Sequence, residues 1–401
     1  MLPKLRHLDI HLTTHQRRPS LMVQDPLLLS DRYLILPQAL GAALMLCDGQ
    51  HDPAGITATL TSEYRFRIEQ TVVDDLLLAL DEALFLENER SALAMAAAIQ
   101  DFRSLPCRPS TIAGVGYPAE AEALRVKFDR YLDEAGPVPT MPTTGRALIS
   151  PHIDYDRGHK VYARVWKQAA AMAQAAELVV ILGTDHYGGF NPVTLTRQSY
   201  ATPYGVLPTD LEAVDVLAAA LGPDVVYAGE LYHRREHSIE LVAVWLHHMR
   251  QGQAVPVVPI LVGSFQPFLG DGSLPDNDPT FGSLLHELET LTNGRRTLYV
   301  ASGDLAHIGP AFGGEAVGIV ERAALAAHDD ELIHHLAAGD AEGFWRFIQQ
   351  TEDRNNVCGV SPFYLTLKLL GHVEGRGAGY AVCPADDHNT SVVSVCGMVF
   401  G

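Results

Sequence analysis

Three histidines of this chain stand just after short apolar runs, beside aspartate, glycine or proline residues. They are His152 in the segment PHIDY, His186 in GTDHYG and His307 in SGDLAHIG. If the apolar runs are parallel strands, their carboxyl ends meet at one edge of a sheet, where α/β proteins bind ligands. One such histidine is more often a hydrogen-bonding group of the core. Three at one edge indicate a metal centre or an acid–base cluster.

A fourth candidate is Cys358, which stands shortly before Ser361 and Pro362. These two residues predict the cap and the first position of a helix that runs to residue 370. The positive end of a helix favours a thiolate, so we expect a lowered pKa for this thiol. A thiolate with neutral imidazoles suits iron(II), copper or zinc rather than magnesium or calcium. Asp304, three residues before His307, is predicted to ligate the metal or to orient a ligand histidine.

The segment EHSIE holds another pair of groups that can transfer protons. His237 and Glu240 are three residues apart at a predicted helix start, and therefore lie on one face. Such a pair suits general acid–base catalysis or substrate binding. The alternative is that Glu236 only stabilises the positive end of the helix. Histidines within other predicted helices are expected to be solvent-exposed: His247, His248, His328, His334 and His335.

Alternating strands and helices must position these residues. Continuous apolar runs predict buried strands at residues 147–150, 178–182, 225–228, 257–262, 297–301 and 392–400. Helices are predicted between them, for example at residues 159–175, 211–221 and 238–249. This alternation predicts an α/β fold with a mostly parallel sheet flanked by helices.

A smaller α+β unit is predicted to precede the sheet. Two apolar runs within residues 27–36 predict a hairpin, and residues 85–86 predict a short strand. Asp52 and Pro53 predict the cap and first position of a helix that reaches about residue 64. Another helix carries an apolar stripe that must face a core, formed by Val72, Val73, Leu76, Leu77, Leu80 and Leu84.

Composition excludes several classes of protein. The 401 residues carry a formal net charge of −19, which disfavours binding to nucleic acid or to an anionic membrane. The sequence predicts no signal peptide and no membrane-spanning segment. Five scattered cysteines without a CxxC pair predict a reducing compartment, so a cytoplasmic protein is expected.

The segments that carry these residues resemble the Memo family, known in prokaryotes as AmmeMemoRadiSam system protein B. The resemblance covers residues 108–401, and its segments occur in the order of the family: AGVGYPAEAEAL (113–124), SPHIDY (150–155), ILGTDHYG (181–188), EHSIEL (236–241), SGDLAHIG (302–309) and VCGVSPF (357–363). It implies a fold like that of the class III extradiol dioxygenases. It also implies association with a radical SAM protein.

The same resemblance implies a site of two histidines and one cysteine, which are His152, His186 and Cys358 in this chain. It places Asp304 and His307 beside the metal, and His237 in the wall of the pocket. The chain departs from the family where PHAGY is replaced by PHIDY and SHH by DHY. The carboxylates introduced by these changes, Asp154 and Asp185, are expected to add negative charge near the metal.

Residues 1–95 resemble the PqqD-like fold, a small winged-helix domain that binds leader peptides. The resemblance lies in the LCDGQHD turn and its spacing to VVDDLLLAL. It implies that a peptide adds as a strand to the edge of a sheet. The alternative is an appendage for dimerisation or docking.

Three functions are compatible with the sequence. The first is an iron- or copper-dependent redox enzyme of dioxygenase type that acts on a small or peptide-borne substrate, with His307 or His237 moving protons. The second is a non-catalytic accessory protein that binds a peptide and a radical SAM partner. The third is a zinc-dependent hydrolase that polarises water at the same ligands.

Overall fold

The structure, a computed structural model, describes residues 2–188, 191–270 and 272–401. It divides into two compact units, of which the first ends at Ser104 and the second begins at Leu105. Within the described part of the chain, no helix combines the length and apolar character that crossing a membrane requires.

The first unit joins a small antiparallel sheet to four helices. Strands β1 (Asp9–His15), β2 (Arg18–Gln24) and β3 (Tyr33–Pro37) lie side by side in chain order. The helices are α1 (Gly41–Met45), α2 (Pro53–Ser62), α3 (Gln70–Glu82) and α4 (Glu89–Ser104). The sheet, α1, α2 and α3 enclose a core of apolar side chains, which includes Val23, Leu44, Leu60, Val73 and Leu80.

Two predictions for this unit are confirmed and two are wrong. The Asp52 carboxylate accepts the N–H of Gly55 and caps α2 as predicted, and the predicted stripe of α3 is buried at its centre. The hairpin is not formed within residues 27–36, because β3 pairs with β2 and residues 25–32 are the connection. Residues 85–86 contribute only an isolated bridge, between Leu86 and Leu5.

An eight-stranded mixed sheet forms the centre of the second unit. The strands are β4 (Ala147–Ser150), β5 (Leu178–Thr184), β6 (Val193–Leu195), β9 (Val257–Val262), β10 (Thr297–Ser302), β11 (His307–Ile308), β12 (Gly375–Pro384) and β13 (Val392–Phe400), while β7 (Tyr200–Thr202) and β8 (Gly205–Leu207) pair separately. The order is β11-β13-β4-β10-β5-β9-β6, with β12 on the other side of β13. The middle strands β4, β10, β5 and β9 are parallel. An α/β fold is therefore confirmed, with antiparallel strands at both edges.

Helices cover both faces of this sheet. They are α5 (Ala121–Glu134), α6 (Tyr155–Gln168), α7 (Ala170–Ala175), α8 (Leu211–Leu221), α9 (Pro223–Val226), α10 (His237–Met249), α11 (Pro279–Thr292), α12 (Ile319–Ala338), α13 (Ala341–Gln350) and α14 (Val360–Leu370). Helices α6 and α10 pack on one face, where a Cβ at Gly183 or Gly397 would meet their side chains. Helices α11, α13 and α14 join the core of the other face, to which alternate residues of β5 point.

The predicted strand at residues 225–228 is wrong. Residues 223–226 form the short helix α9, which begins at Pro223 after Gly222 with φ +92°. A proline at a first helical position has a backbone angle already suited to a helix. The run is too short for its apolar character to distinguish strand from helix.

Candidate metal centre

The middle strands of the sheet deliver three candidate ligands to one edge. His152 follows the end of β4 by two residues, and His186 and Asp304 follow the ends of β5 and β10 by the same spacing. The register aligns Ser302, the last residue of β10, with Ser150 of β4 and with Gly183, the second-last residue of β5. Side chains that are far apart in sequence are therefore held at the same level.

Cys358 lies against these loops, directly before α14. Its Sγ is 3.1 Å from Nε2 of His152 and accepts the N–H of Asp304 at 3.2 Å. The Cys358 thiol also forms a hydrogen bond with His186. Asp304 accepts the N–H of His152 through Oδ1 at 2.9 Å and so holds the loop after β4. Its Oδ2 is 3.9 Å from Nε2 of His152.

A close approach of two glycines makes this arrangement possible. A Cβ atom on Gly303 would lie only 2.5 Å from Cα of Gly359. The N–H of Gly359 donates to the carbonyl of Asp304 at 2.9 Å. Without side chains at these two positions, the loop after β10 and the loop that holds Cys358 can touch, which brings the thiol to the histidines.

Glu236 organises the other side of the site from beneath. It is fully buried and caps α10, where Oε1 accepts the N–H of His237 at 2.8 Å and that of Ser238 at 2.9 Å. The same carboxylate lies 3.0 Å from Nδ1 of His186 and accepts the N–H of His186 at 2.9 Å. The imidazoles of His186 and His237 stack with centroids 4.8 Å apart.

Hydrogen bonds to Nδ1 determine which nitrogen of each histidine faces the centre. The Glu236 carboxylate only accepts, so Nδ1 of His186 keeps its proton, and Nε2 presents a lone pair when a metal ion displaces the second proton of this imidazole. Ser302 donates its hydroxyl proton to the carbonyl of Ser238 at 2.6 Å, and its oxygen lies 3.5 Å from Nδ1 of His152. The Nε2 atom of His152 then also presents a lone pair, as a metal ligand must.

Two overlapping sets of groups can hold a metal ion within the described residues. One consists of His152, His186 and His237, and the other of His152, Asp304 and Cys358. In each set the ligand atoms lie within 4.8 Å of one another. The convergence of nitrogen and sulfur donors, with the Nδ1 atoms of His152 and His186 held from outside, fits a transition metal or zinc.

A cavity of about 640 Å³ opens over this cluster. His307 lines it with His152, His186 and His237, whereas the segment 111–116 and Phe312 form part of its walls. His307 lies on the short strand β11, and its ring packs edge-on against Phe312 with centroids 5.1 Å apart. A cavity of this size can take a small organic molecule whose one end reaches the cluster.

Burial and neighbouring charges shift the pKa values of the site. Burial lowers the pKa of His152, with a further contribution from His186, and lowers that of His307 to about 4. Burial alone would also lower the pKa of His186, but Glu236 and Cys358 outweigh it and raise this pKa well above its usual value. His152 and His307 are therefore neutral imidazoles at physiological pH, able to ligate or to accept a proton.

The Asp304 carboxyl group is the other shifted group of the site. Burial raises its pKa to about 6, although the N–H groups of His152 and Ile153 partly counteract this. Both N–H groups donate to Oδ1, at 2.9 and 3.3 Å. The carboxyl group is thus held rigidly and can exchange a proton near neutrality.

A model of the Memo-like protein family matches residues 108–399. The chain belongs to this family. The match covers nearly all of the second unit, including every candidate ligand described above.

Curated relatives from all three domains of life are similar to the chain. A MEMO1 family protein of Aquifex aeolicus is 26% identical over 407 residues, which cover 100% of each chain. Protein memo-1 homolog of Caenorhabditis elegans is 28% identical over 66% of this chain and 71% of its own length. A MEMO1 family protein of Methanosarcina acetivorans is 29% identical over 68% of this chain and 89% of its own.

The structure places all six predicted Memo-family site residues around one centre. His152, His186, His237 and Asp304 line the cavity together with His307, and Cys358 lies against His152. Their roles as ligands or proton carriers stay predictions.

The proposed pairing of His237 with Glu240 is wrong. Glu240 is fully buried and turned away from the cavity, where Arg108 forms an ion pair with it. Its carboxylate also accepts the N–H of Thr111 at 2.9 Å and the hydroxyl of Tyr117 at 2.5 Å. Glu240 therefore fixes the segment that leads into the second unit rather than taking part in proton transfer.

The expectation of a lowered pKa at Cys358 is also wrong. Burial raises the pKa of this thiol, although the hydrogen bond from His186 acts in the opposite direction. Helix α14 begins at Val360 with Gly359 as its cap, so Ser361 and Pro362 lie inside its first turn. The dipole of the helix does not compensate for the loss of water around the sulfur.

Asp154 and Asp185, the two carboxylates that depart from the family pattern, add little negative charge to the site. Asp154 caps α6 and forms an ion pair with Arg157, so it adds little net charge. Burial and the charge of Glu236 raise the pKa of Asp185 to about 7, and its Oδ1 accepts the N–H groups of Tyr187 and Gly188. Both residues shape loops of the site more than its charge.

Several histidines predicted to be solvent-exposed are buried. His247 is buried because α10 is covered on nearly all sides. Its Nδ1 atom forms a hydrogen bond of 2.7 Å with the hydroxyl group of Thr202. His328 is buried as well and His248 is half-buried, whereas His334 is exposed.

The sequence did not identify Glu236 or Ser302 as hydrogen-bond partners of the candidate ligands His186 and His152. Glu236 was recognised only as a residue at the start of a helix, and it is 50 residues from His186 in the chain. The signal available in the sequence was an acidic residue at a predicted helix start, directly before His237, which could have indicated a partner for a nearby histidine.

Proposed function

We propose that the protein is a metal-dependent redox enzyme of dioxygenase type that holds iron or copper through His152, His186 and Cys358. The observation that carries this proposal is the contact of the Cys358 thiol with both histidines, whose Nδ1 atoms are held by Ser302 and Glu236. The metal would supply a redox-active centre that binds oxygen beside the substrate.

The residues around this centre divide the remaining tasks. Asp304 orients His152 through its backbone, and the buried Glu236 orients His186. His307 is neutral and lines the cavity, so it can accept a proton from a substrate hydroxyl group.

Metal analysis of anaerobically purified protein tests this proposal. The wild type, supplied with iron(II) or copper(I), is expected to retain about one ion per chain, and Cys358→Ser to bind it at least tenfold more weakly. Cys47→Ser is the matched control, since Cys47 is buried in the core of the first unit, where its thiol donates to the carbonyl of Ala43. Oxygen uptake is then measured with catechols as small substrates. Wild type that stays free of metal would overturn the proposal.

A zinc-dependent hydrolase is the second candidate, favoured by the three imidazoles of His152, His186 and His237. Their nitrogens lie within 4.8 Å of one another, and three imidazole ligands with one open position suit a zinc ion that polarises water. Zinc retained in preference to iron and copper, an unchanged affinity in Cys358→Ser and a large loss in His237→Ala would favour this candidate over the first.

A third candidate is an accessory role in which the first unit binds a peptide and presents it to a radical SAM partner. Its support is the three-stranded sheet, whose outer strands β1 and β3 each pair with β2 alone among the described residues. Leu12 on β1 is 72% exposed and Tyr33 at the start of β3 is 61% exposed. Pull-down with short candidate peptides tests this role, and a chain without residues 1–95 that retains all peptide and partner binding would refute it.

A further inference from the structure

One charged group in the wall of the large cavity has no partner. Arg235 is exposed and lines the cavity, and no hydrogen bond or ion pair to its side chain is found in the described part of the chain. Most arginines of the second unit differ, because they bind a carboxylate or backbone carbonyl groups. In a chain with a net charge of −19, an unpaired guanidinium group at a cavity is notable.

Arg235 and His237 are the chain neighbours of the buried Glu236. Glu236 is fully buried beneath the site, and its backbone is extended, with φ −65° and ψ 129°. Its carboxylate accepts the backbone N–H groups of His237 and Ser238. This anchor fixes the segment at the cavity, where Arg235 and His237 both line the wall.

The other charged groups of the cavity wall are already engaged. Arg157 donates to Asp154 and to the carbonyl of Pro384, so it neutralises that carboxylate and has little capacity left. Asp304 is buried and accepts two backbone N–H groups. The charge on the imidazole of His186 is balanced by Glu236, 3.0 Å from its Nδ1. Arg235 therefore remains the cationic group without a partner among the described wall residues.

We infer that Arg235 binds the carboxylate of a small organic acid whose apolar body fills the cavity. This inference rests on the proposed function, because it names the class of substrate for the same site. A planar guanidinium group binds a carboxylate through two parallel hydrogen bonds. Apolar wall residues, namely Ile112, Leu241, Phe312 and Val393, provide the contacts for the body of the acid.

This geometry also orients the acid. Its carboxylate lies at Arg235, beside His237, and the rest of the molecule extends across the cavity toward His152 and His186. Arg235 is accordingly a substrate-binding residue that determines specificity and does not hold the metal.

Binding of a fluorescent acid to metal-free protein provides the test. The probes are 2-naphthoate and its neutral analogue 2-naphthamide, titrated into the full-length chain after treatment with a chelator. We expect wild type to bind 2-naphthoate at least tenfold more tightly than 2-naphthamide, and Arg235→Gln to remove this preference while its affinity for 2-naphthamide is unchanged. Arg235→Lys is expected to retain part of the preference, because lysine keeps the charge but not the paired donors.

Arg376→Gln is the matched control, since Arg376 is exposed on β12 and its side chain has no partner among the described residues. It is expected to bind both probes as wild type does. Equal binding of the two probes by wild type, or an intact preference in Arg235→Gln, would overturn the inference. Because the protein is free of metal in this assay, a failure of the proposed metal function leaves the result interpretable.

Discussion

Substitution of Glu236 by glutamine examines whether the buried carboxylate prepares His186 for metal binding. In the protein, Oε1 accepts the backbone N–H groups of His237 and Ser238 and lies 3.0 Å from Nδ1 of His186 and 3.2 Å from Nδ1 of His237. Oε2 accepts one, the backbone N–H of His186 at 2.9 Å. A glutamine keeps its oxygen at the first position and must then turn its NH₂ group toward the backbone N–H of His186. Two donors would face each other in a buried place.

The expected effect follows from the loss of this acceptor. A hydrogen bond to an ionised group contributes about 1.5–3 kcal/mol, so the free energy of unfolding is expected to fall by roughly 2 kcal/mol. Loss of a partner that orients a ligand histidine typically weakens metal binding 10- to 100-fold. This corresponds to about 1.4–2.8 kcal/mol of binding free energy at 1.4 kcal/mol for each factor of ten.

Competition with a chelator measures the affinity, with cobalt(II) as a spectroscopic probe of the metal site. Urea unfolding of the same samples without metal measures stability. Glu230→Gln is the matched control, because Glu230 is equally buried and accepts the hydroxyl of Thr196 at 3.0 Å, away from the cavity wall. The control is expected to lose stability and to keep its cobalt affinity. If Glu236→Gln binds cobalt as tightly as wild type while its stability falls, Glu236 is a helix cap and nothing more.

Three further predictions concern residues that support the loops and segments around the site. Burial raises the pKa of Asp353 to about 6, so between about pH 4 and pH 6 the folded state keeps a proton that the unfolded chain has released, and stability falls as the pH rises. In urea unfolding, Asp353→Asn should remove this pH dependence and be about 1–3 kcal/mol more stable than wild type at pH 7. An unchanged pH dependence in the variant would contradict the raised pKa. Arg108→Met should cost about 3–5 kcal/mol because it leaves the buried Glu240 unpaired, and adding Glu240→Gln should recover part of this loss, whereas additive losses would show that the charge is not the cause. Gly303→Ala should push the loop of Gly359 away, lower stability by about 1–3 kcal/mol and weaken cobalt binding; unchanged cobalt binding would show that the close approach does not position the thiol.

The sequence predicted the central strands well, because their chemistry is simple. Strands β4, β9 and β13 occur at the predicted residues, since strands buried on both faces are continuous apolar runs. The strand β1 was missed because its sequence DIHLTTH is largely polar and its burial pattern shows mostly exposed residues. The strand predicted at residues 225–228 is wrong for the opposite reason, since a short apolar run does not distinguish a helix from a strand.

The sequence likewise predicted one part of the candidate site and missed another. Residues at the ends of strands, such as His152 and His186, were found because topology alone places them at one edge of the sheet. The partners of buried carboxylates were not found, because they depend on which distant loops meet. Glu240 is 132 residues from Arg108, and nothing in their local sequence shows that they pair.

The segment that enters the second unit has a consequence for how relatives of this protein diverge. Arg108 and Thr111 anchor it to Glu240, and its following residues form one wall of the cavity. Val115 in this wall is 92% exposed and far less constrained than the anchored residues. Exposed loop positions tolerate replacement with little loss of stability. A new ligand preference can therefore evolve at residues 112–116 while the anchor, the sheet and the candidate metal ligands stay the same.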